Sequence, residues 1–181
     1  MTARGAGTPC GRAFPHGLSM NRRGVLEMPL KLLISVIIMT ATASIGFGAL
    51  SYYSKGMVES NLRQQGESIA SAALRLDGLG LNSTLRLQLK LEGAPMAGVE
   101  FFKVGYPLTE PLHPYAAMVR FKGAGTDEGH IYVKDAGGSP LPLCSISGDT
   151  FPLGAGTHDI LLTKLYSRDA NTTYVQIEEL K

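Results

Sequence analysis

The residues able to do chemistry in this chain are few, and their spacing excludes more than it suggests. Outside the first 24 residues the histidines are His113, His130 and His158, with no HxxxH, HxH or CxxC spacing anywhere, so no metal ligand set is expected. Gly123-x-Gly125-x-x-x-Gly129 has the wrong spacing for a dinucleotide loop and no helical pattern after it to receive a phosphate. Asp127 and Glu128, inside that loop, read as solvated turn residues rather than an acid/base pair or calcium ligands. Cys144 sits in an apolar run and reads as a small core residue. The only other cysteine, Cys10, lies in a segment expected to be absent from the mature protein, so no structural disulfide is expected. Neither an enzyme nor a cofactor is indicated. Three features do ask for a role. Glu27 is a carboxylate at the edge of a long apolar run, four residues before Lys31, and such a charge costs several kcal/mol in hydrocarbon unless paired. The other two are the sequons Asn82-Ser83-Thr84 and Asn171-Thr172-Thr173, which fall in predicted loops where N-glycosylation is expected to reach.

The elements that must carry these residues follow from periodicity. From Leu32 to Leu50 the chain has no charged residue for 19 positions, and at about 1.5 Å per helical residue that nearly matches a hydrocarbon core of about 30 Å. A cleaved secretory signal has a shorter apolar stretch and a small-residue site behind it; a cut near Ala41-Thr42-Ala43 is the form that alternative takes. Arg22, Arg23 and Lys31 on the leading side predict a cytoplasmic N-terminus and an exported remainder. Beyond the apolar run Val58, Leu62, Ile69, Ala73 and Leu76 recur at steps of three, four or seven between polar residues, so one helix over residues 26–76 is expected to leave the membrane as an amphipathic one. Gly56 and Gly66 predict bending or local melting, and the DGLG of residues 77–80 predicts its end.

After residue 82 the period changes to two. Leu85, Leu87, Leu89 and Leu91 alternate with Arg86, Gln88, Lys90 and Glu92, which places the leucines on one buried strand face. Six more runs, 99–104, 116–122, 130–135, 142–146, 158–166 and 173–180, are bounded by Gly, Pro, Asn or Asp, and SRDANT reads as a hairpin connection between the last two. Seven short strands predict an antiparallel β-sandwich-like head or a barrel. The fold class expected is therefore α+β. GAGT occurs before two strands and in the leader, and reads as turn composition rather than an internal repeat.

Charge divides the same way. Of 17 basic residues four lie in residues 1–24, which contain no acid, leaving 13 against 15 acidic residues behind them; nothing in that balance predicts nucleic-acid binding.

The stretch Met20–Ser51, MNRRGVLEMPLKLLISVIIMTATASIGFGALS, resembles the class III signal and N-terminal helix of type IV pilins and their archaeal relatives. The resemblance implies that a prepilin peptidase removes a basic leader between Gly24 and Val25, and that the apolar segment is retained as the packed helix of a homo-oligomeric filament. Glu27 then becomes the acidic residue near the new N-terminus. Pro29 stands at the fifth mature position, where bacterial major pilins carry the glutamate, which points to the archaeal branch. Met20 precedes Asn21-Arg22-Arg23-Gly24 directly, so translation starting there gives a five-residue leader. The expected organisation is a leader over 1–24, a transmembrane and filament-core helix over 25–80, and an extracytoplasmic β domain over 81–181. The protein would reside in the cell membrane before assembly and at the cell surface after it, with adhesion or shielding as the work of the head. Within this frame Glu27 pairs either with the Val25 amine, in its own or a neighbouring chain, setting subunit register, or with Lys31 on its own helix face. Ala41, Ala43, Ser44, Gly46 and Gly48 allow close packing of helices. Two alternatives come from other classes: an uncleaved single-pass protein whose β domain binds a solute or protein, and a secreted β-fold enzyme.

Overall fold

The structure, a computed structural model, describes residues 22–107, 115–145, 151–168 and 170–180, with side chains from Met28 onward. The first 21 residues, with Cys10, and His113 lie outside the described residues. One helix, α1, runs Arg22–Asp77, and the chain divides into two compact units, Met1–Ser44 and Ile45–Lys181. In the first unit the described residues are helical, charge-free from Leu32 on, and from Met28 their side chains are exposed. Among the described residues, α1 from Met28 on is the one helix long and apolar enough to cross a membrane.

In the second unit the rest of α1 is followed by β1 (Thr84–Leu91), β2 (Val99–Val104), β3 (Tyr106–Pro107), β4 (Met118–Gly123), β5 (Gly129–Tyr132), β6 (Leu143–Ser145), β7 (Phe151–Leu153), β8 (Gly156–Ser167) and β9 (Thr172–Leu180). They form a five-stranded sheet in the order β1-β8-β9-β6-β3 and a four-stranded sheet in the order β5-β4-β2-β7. The wholly antiparallel pairing expected from the sequence is corrected here, because β6 pairs parallel with both β9 and β3 and makes the larger sheet mixed. The physical reason is the connection before β6. After β5 the chain turns back on itself through the Lys134–Pro140 bridge, with Leu141 N–H donating to the carbonyl of Val133, and Val133 and Leu143 donate to the carbonyls of Ala117 and Ala116, so that the returning chain reaches β6 beside β9 instead of pairing with β5. β3 and β7 were not expected from the pattern, being two and three residues long and each containing a proline, too short for alternation to register.

One apolar core joins α1 to both sheets. Val58, Leu62, Ile69, Ala73 and Leu76 from the helix are buried with Leu89 and Leu91 of β1, Ile160 and Leu162 of β8, Val175 and Ile177 of β9, and Phe102, Val104, Val119 and Phe121 of β2 and β4. Phe102 and Phe121, cross-strand partners, stack with centroids 6.3 Å apart. The four leucines of β1 share a face as predicted, but burial grows along the strand: Leu85 and Leu87 are half-buried beside a groove against α1, whereas Leu89 and Leu91 are fully buried. No local melting occurs at Gly56 or Gly66, where the helix runs on unbroken. At Gly66 a Cβ would lie 2.7 Å from Cδ1 of Ile131, so this glycine lets the helix approach β5.

Candidate functional site

The candidate segment begins where the expected leader ends. Gly24, Val25 and Glu27 lie on the helical backbone of α1, and their side chains are outside the described residues. Pro29 lies inside the helix; having no N–H, it leaves the carbonyl of Val25 without its usual partner, one residue past the expected cut. Lys31 is exposed and engaged with a partner.

From Leu32 to Leu50 the helix surface is apolar and exposed, with Met39 70 % and Ile45 74 % accessible. The hydroxyls on it are not bare. Thr40 donates to the carbonyl of Val36 (2.8 Å), Thr42 to Ile38 (2.9 Å) and Ser44 to Thr40 (2.8 Å), so these three hydroxyls are satisfied within the helix, as residence in hydrocarbon requires. At Gly46, Gly48 and Gly56 nothing lies within 4 Å of where a Cβ would stand; no contact inside the chain requires these glycines.

Where α1 ends, one buried lysine fixes it to the larger sheet. Leu79 N–H donates to the carbonyl of Leu76, closing the last turn. Lys164 of β8 then donates to the carbonyls of Asp77 (2.5 Å) and Leu79 (3.3 Å) and pairs with Asp77 Oδ1 (3.1 Å). The helix C-terminus carries partial negative charge, and the lysine answers it with all three of its donors while only 8 % exposed. The alternation gave half of this arrangement, because Lys164 falls on the same face as Ile160 and Leu162; its partner, 87 residues earlier, has no local signal.

The sequon asparagines are brought to one place. Asn82 lies in the turn before β1, donating its N–H to the carbonyl of Lys164 (2.8 Å), and Asn171 in the β8–β9 hairpin. Since β1 begins opposite Thr163 and β9 opposite Ser167, both asparagines lie at the same end of the five-stranded sheet. Both are exposed and adopt positive φ, 65° and 48°, the only described non-glycine residues to do so. Asparagine tolerates that region better than other side chains, and Asn171 Oδ1 accepts from the Tyr166 hydroxyl (2.5 Å).

Cys144 is buried and unpaired on β6; burial pushes its thiol up to about 11, so it stays protonated and inert at neutral pH. The phenol of Tyr174 is also raised, first by burial and then by the neighbouring Cys144. His130 lies on β5 against Tyr132, and His158 Nδ1 is 2.7 Å from Glu179 with Nε2 3.0 Å from the carbonyl of Gly154. Neither is grouped with other metal-binding side chains among the described residues. Asp127 and Glu128 are exposed in the β4–β5 turn, as the sequence suggests.

No protein-family profile, curated protein or solved structure matches this chain.

Proposed function

We propose that this chain is the precursor of a type IV pilin-like subunit of the archaeal kind, cut by a prepilin peptidase between Gly24 and Val25 and assembled through α1 into a homo-oligomeric surface filament. The observation that carries the proposal is the exposed, charge-free run from Leu32 to Leu50 on a helix whose other end is buried in a β-rich unit. Such a surface is stable only in a bilayer or against copies of itself. Membrane and filament are successive answers to the same exposed area. The leader motif Arg22-Arg23-Gly24 and the glycines that nothing in the chain requires support the same reading. The head is read as sandwich-like, two sheets sharing one core, extracytoplasmic and glycosylated at Asn82 or Asn171, with adhesion or shielding as its role. It is not an enzyme, and the partners are the membrane, the peptidase and further copies.

The deciding experiment is N-terminal sequencing and intact mass of the native protein, for which a start at Val25 is expected. Gly24→Val should abolish the shift; a variant that matures normally removes the leader assignment. A start at Met20 or Asn21 would instead favour the uncleaved anchored binding protein. With processing intact, Glu27→Ala should lower the sheared, filament-associated fraction much more than Lys31→Ala if Glu27 serves a neighbouring subunit. Equal and small effects, about 0.5 kcal/mol or less, are expected of a pair within one helix.

A further inference from the structure

The outward face of the four-stranded sheet gathers positive charge. Phe102, Val104, Val119 and Phe121 are buried in the core, so their neighbours Phe101, Lys103, Arg120 and Lys122 point the other way. Lys103 is the cross-strand partner of Arg120, and Arg120 of His130. The three form a row across β2, β4 and β5 with adjacent strands about 5 Å apart. Lys122, two residues along β4, donates to Glu100 (3.1 Å). Lys103 and Arg120 have no ion pair with any described carboxylate. They rest on rings instead, Arg120 at 4.8 Å from the Tyr115 centroid and Lys103 at 5.2 Å from that of Phe101.

Like charges directly opposite each other destabilise a sheet, and this pair stands in a stretch with 13 basic against 15 acidic residues after residue 24. Acids are in excess, yet among the described residues none forms an ion pair with Lys103 or Arg120. The ring contacts hold the two cations in place without neutralising their charge, and an anionic ligand would do so.

We propose that this face binds an acidic polysaccharide, with carboxylate-bearing sugars laid across β2, β4 and β5. The arginine fork matches a carboxylate bidentately, and the strand spacing is close to the length of one sugar ring, so successive acidic sugars meet successive members of the row. Single-stranded nucleic acid is the poorer fit. It draws its affinity from bases stacked on open aromatic faces, and here one face each of Tyr115 and Phe101 is taken by the protein's own cation. The proposal does not depend on leader cleavage or filament assembly, because the face belongs to the folded unit of a single chain.

The test is titration of the full-length chain in neutral detergent with oligogalacturonate, with dextran oligomers of equal length as the uncharged control. Oligogalacturonate should bind and weaken as salt rises, and dextran should not bind. Lys103→Gln with Arg120→Gln should lower affinity at least about tenfold, while Lys103→Arg, which retains the charge and leaves the Arg120 fork in place, should keep it within about threefold. Lys134→Gln, on an exposed residue of the β5–β6 connection, should change it less than about twofold. Should the double glutamine variant fail to fold by circular dichroism, Lys103→Gln and the charge-retaining Lys103→Arg decide. Oligogalacturonate binding no tighter than dextran overturns the proposal, as does equal loss from Lys134→Gln. Tighter binding of a single-stranded oligonucleotide or of phosphatidylglycerol vesicles also overturns it, assigning the face to nucleic acid or to lipid.

Discussion

Lys164 shows how much can rest on one side chain. Its ammonium is buried against two carbonyls and a carboxylate of the helix end, so replacing it with methionine leaves Asp77 without its cation and two carbonyls without donors. Breaking such a pair from one side costs about 3–5 kcal/mol, and Lys164→Met should lower the urea midpoint accordingly. Asp77→Asn retains a hydrogen-bonding oxygen and should cost less. Cys144 gives a pH test with a definite sign. Its folded pKa, about 11, exceeds the model-compound value of 9.0, so through that interval the folded state keeps a proton the unfolded state loses. Stability is therefore full below about pH 9 and falls as pH rises toward 11. Tyr174, raised in the same direction, steepens the fall. Cys144→Ala should flatten the decline in a pH series of denaturant melts, and a thiol reagent should label Cys144 only after unfolding. From the sequence Cys144 was legible as a core residue because its neighbours are apolar. The lysine clamp was not, since a contact across 87 residues leaves no periodic trace.

The elements were legible where they were long. The change from helical to alternating period near residue 82 and the strand at Val99–Val104 follow from side-chain patterning alone, whereas the parallel placement of β6 depends on where a loop delivers the chain. Two glycines separate local cost from tertiary cost. At Gly66 a methyl group would meet the tip of Ile131, which can swing aside, and alanine gains up to about 1 kcal/mol of helix propensity. Gly66→Ala should therefore be nearly neutral in thermal melting. At Gly105, with φ of 61°, a Cβ would stand 2.0 Å from the backbone carbonyl oxygen of Leu143. No rotamer relieves that contact. Gly105→Ala should destabilise by several kcal/mol and detach β6 from the crossing that makes the sheet mixed.

At the scale of the folded unit, the helix is part of the core rather than a stalk beneath it. Val58, Leu62, Ile69 and Leu76 are each at most 1 % exposed, and at about 2 kcal/mol per buried side chain they contribute on the order of 8 kcal/mol, comparable with the net stability of a whole domain. A fragment of residues 82–181 should accordingly lack a cooperative melt, while one of residues 52–181 should show one, with mixed helical and strand circular dichroism. Cooperative folding of the shorter fragment would mean that the sheets close their core without α1. The alternation in β1 marks a buried face; what it cannot reveal is that the opposite wall of the core is supplied in part by a helix already identified for another purpose.

One detail of β1 bears on life at high density. As the outermost strand of its sheet it would present unpaired amides, but those of Lys90 and Glu92 donate to Gln65 (3.3 Å) and Asn61 (3.2 Å) on α1. Two helix side chains thus blunt an edge that could otherwise template a neighbouring chain. Molecules crowded in a membrane patch or stacked along a fibre meet their own kind constantly, and an open strand would let their heads zip into irreversible aggregates. Asn61→Ala with Gln65→Ala should leave the fold largely intact yet raise the rate of thioflavin-positive aggregation, a hazard that would appear only when many copies are brought together.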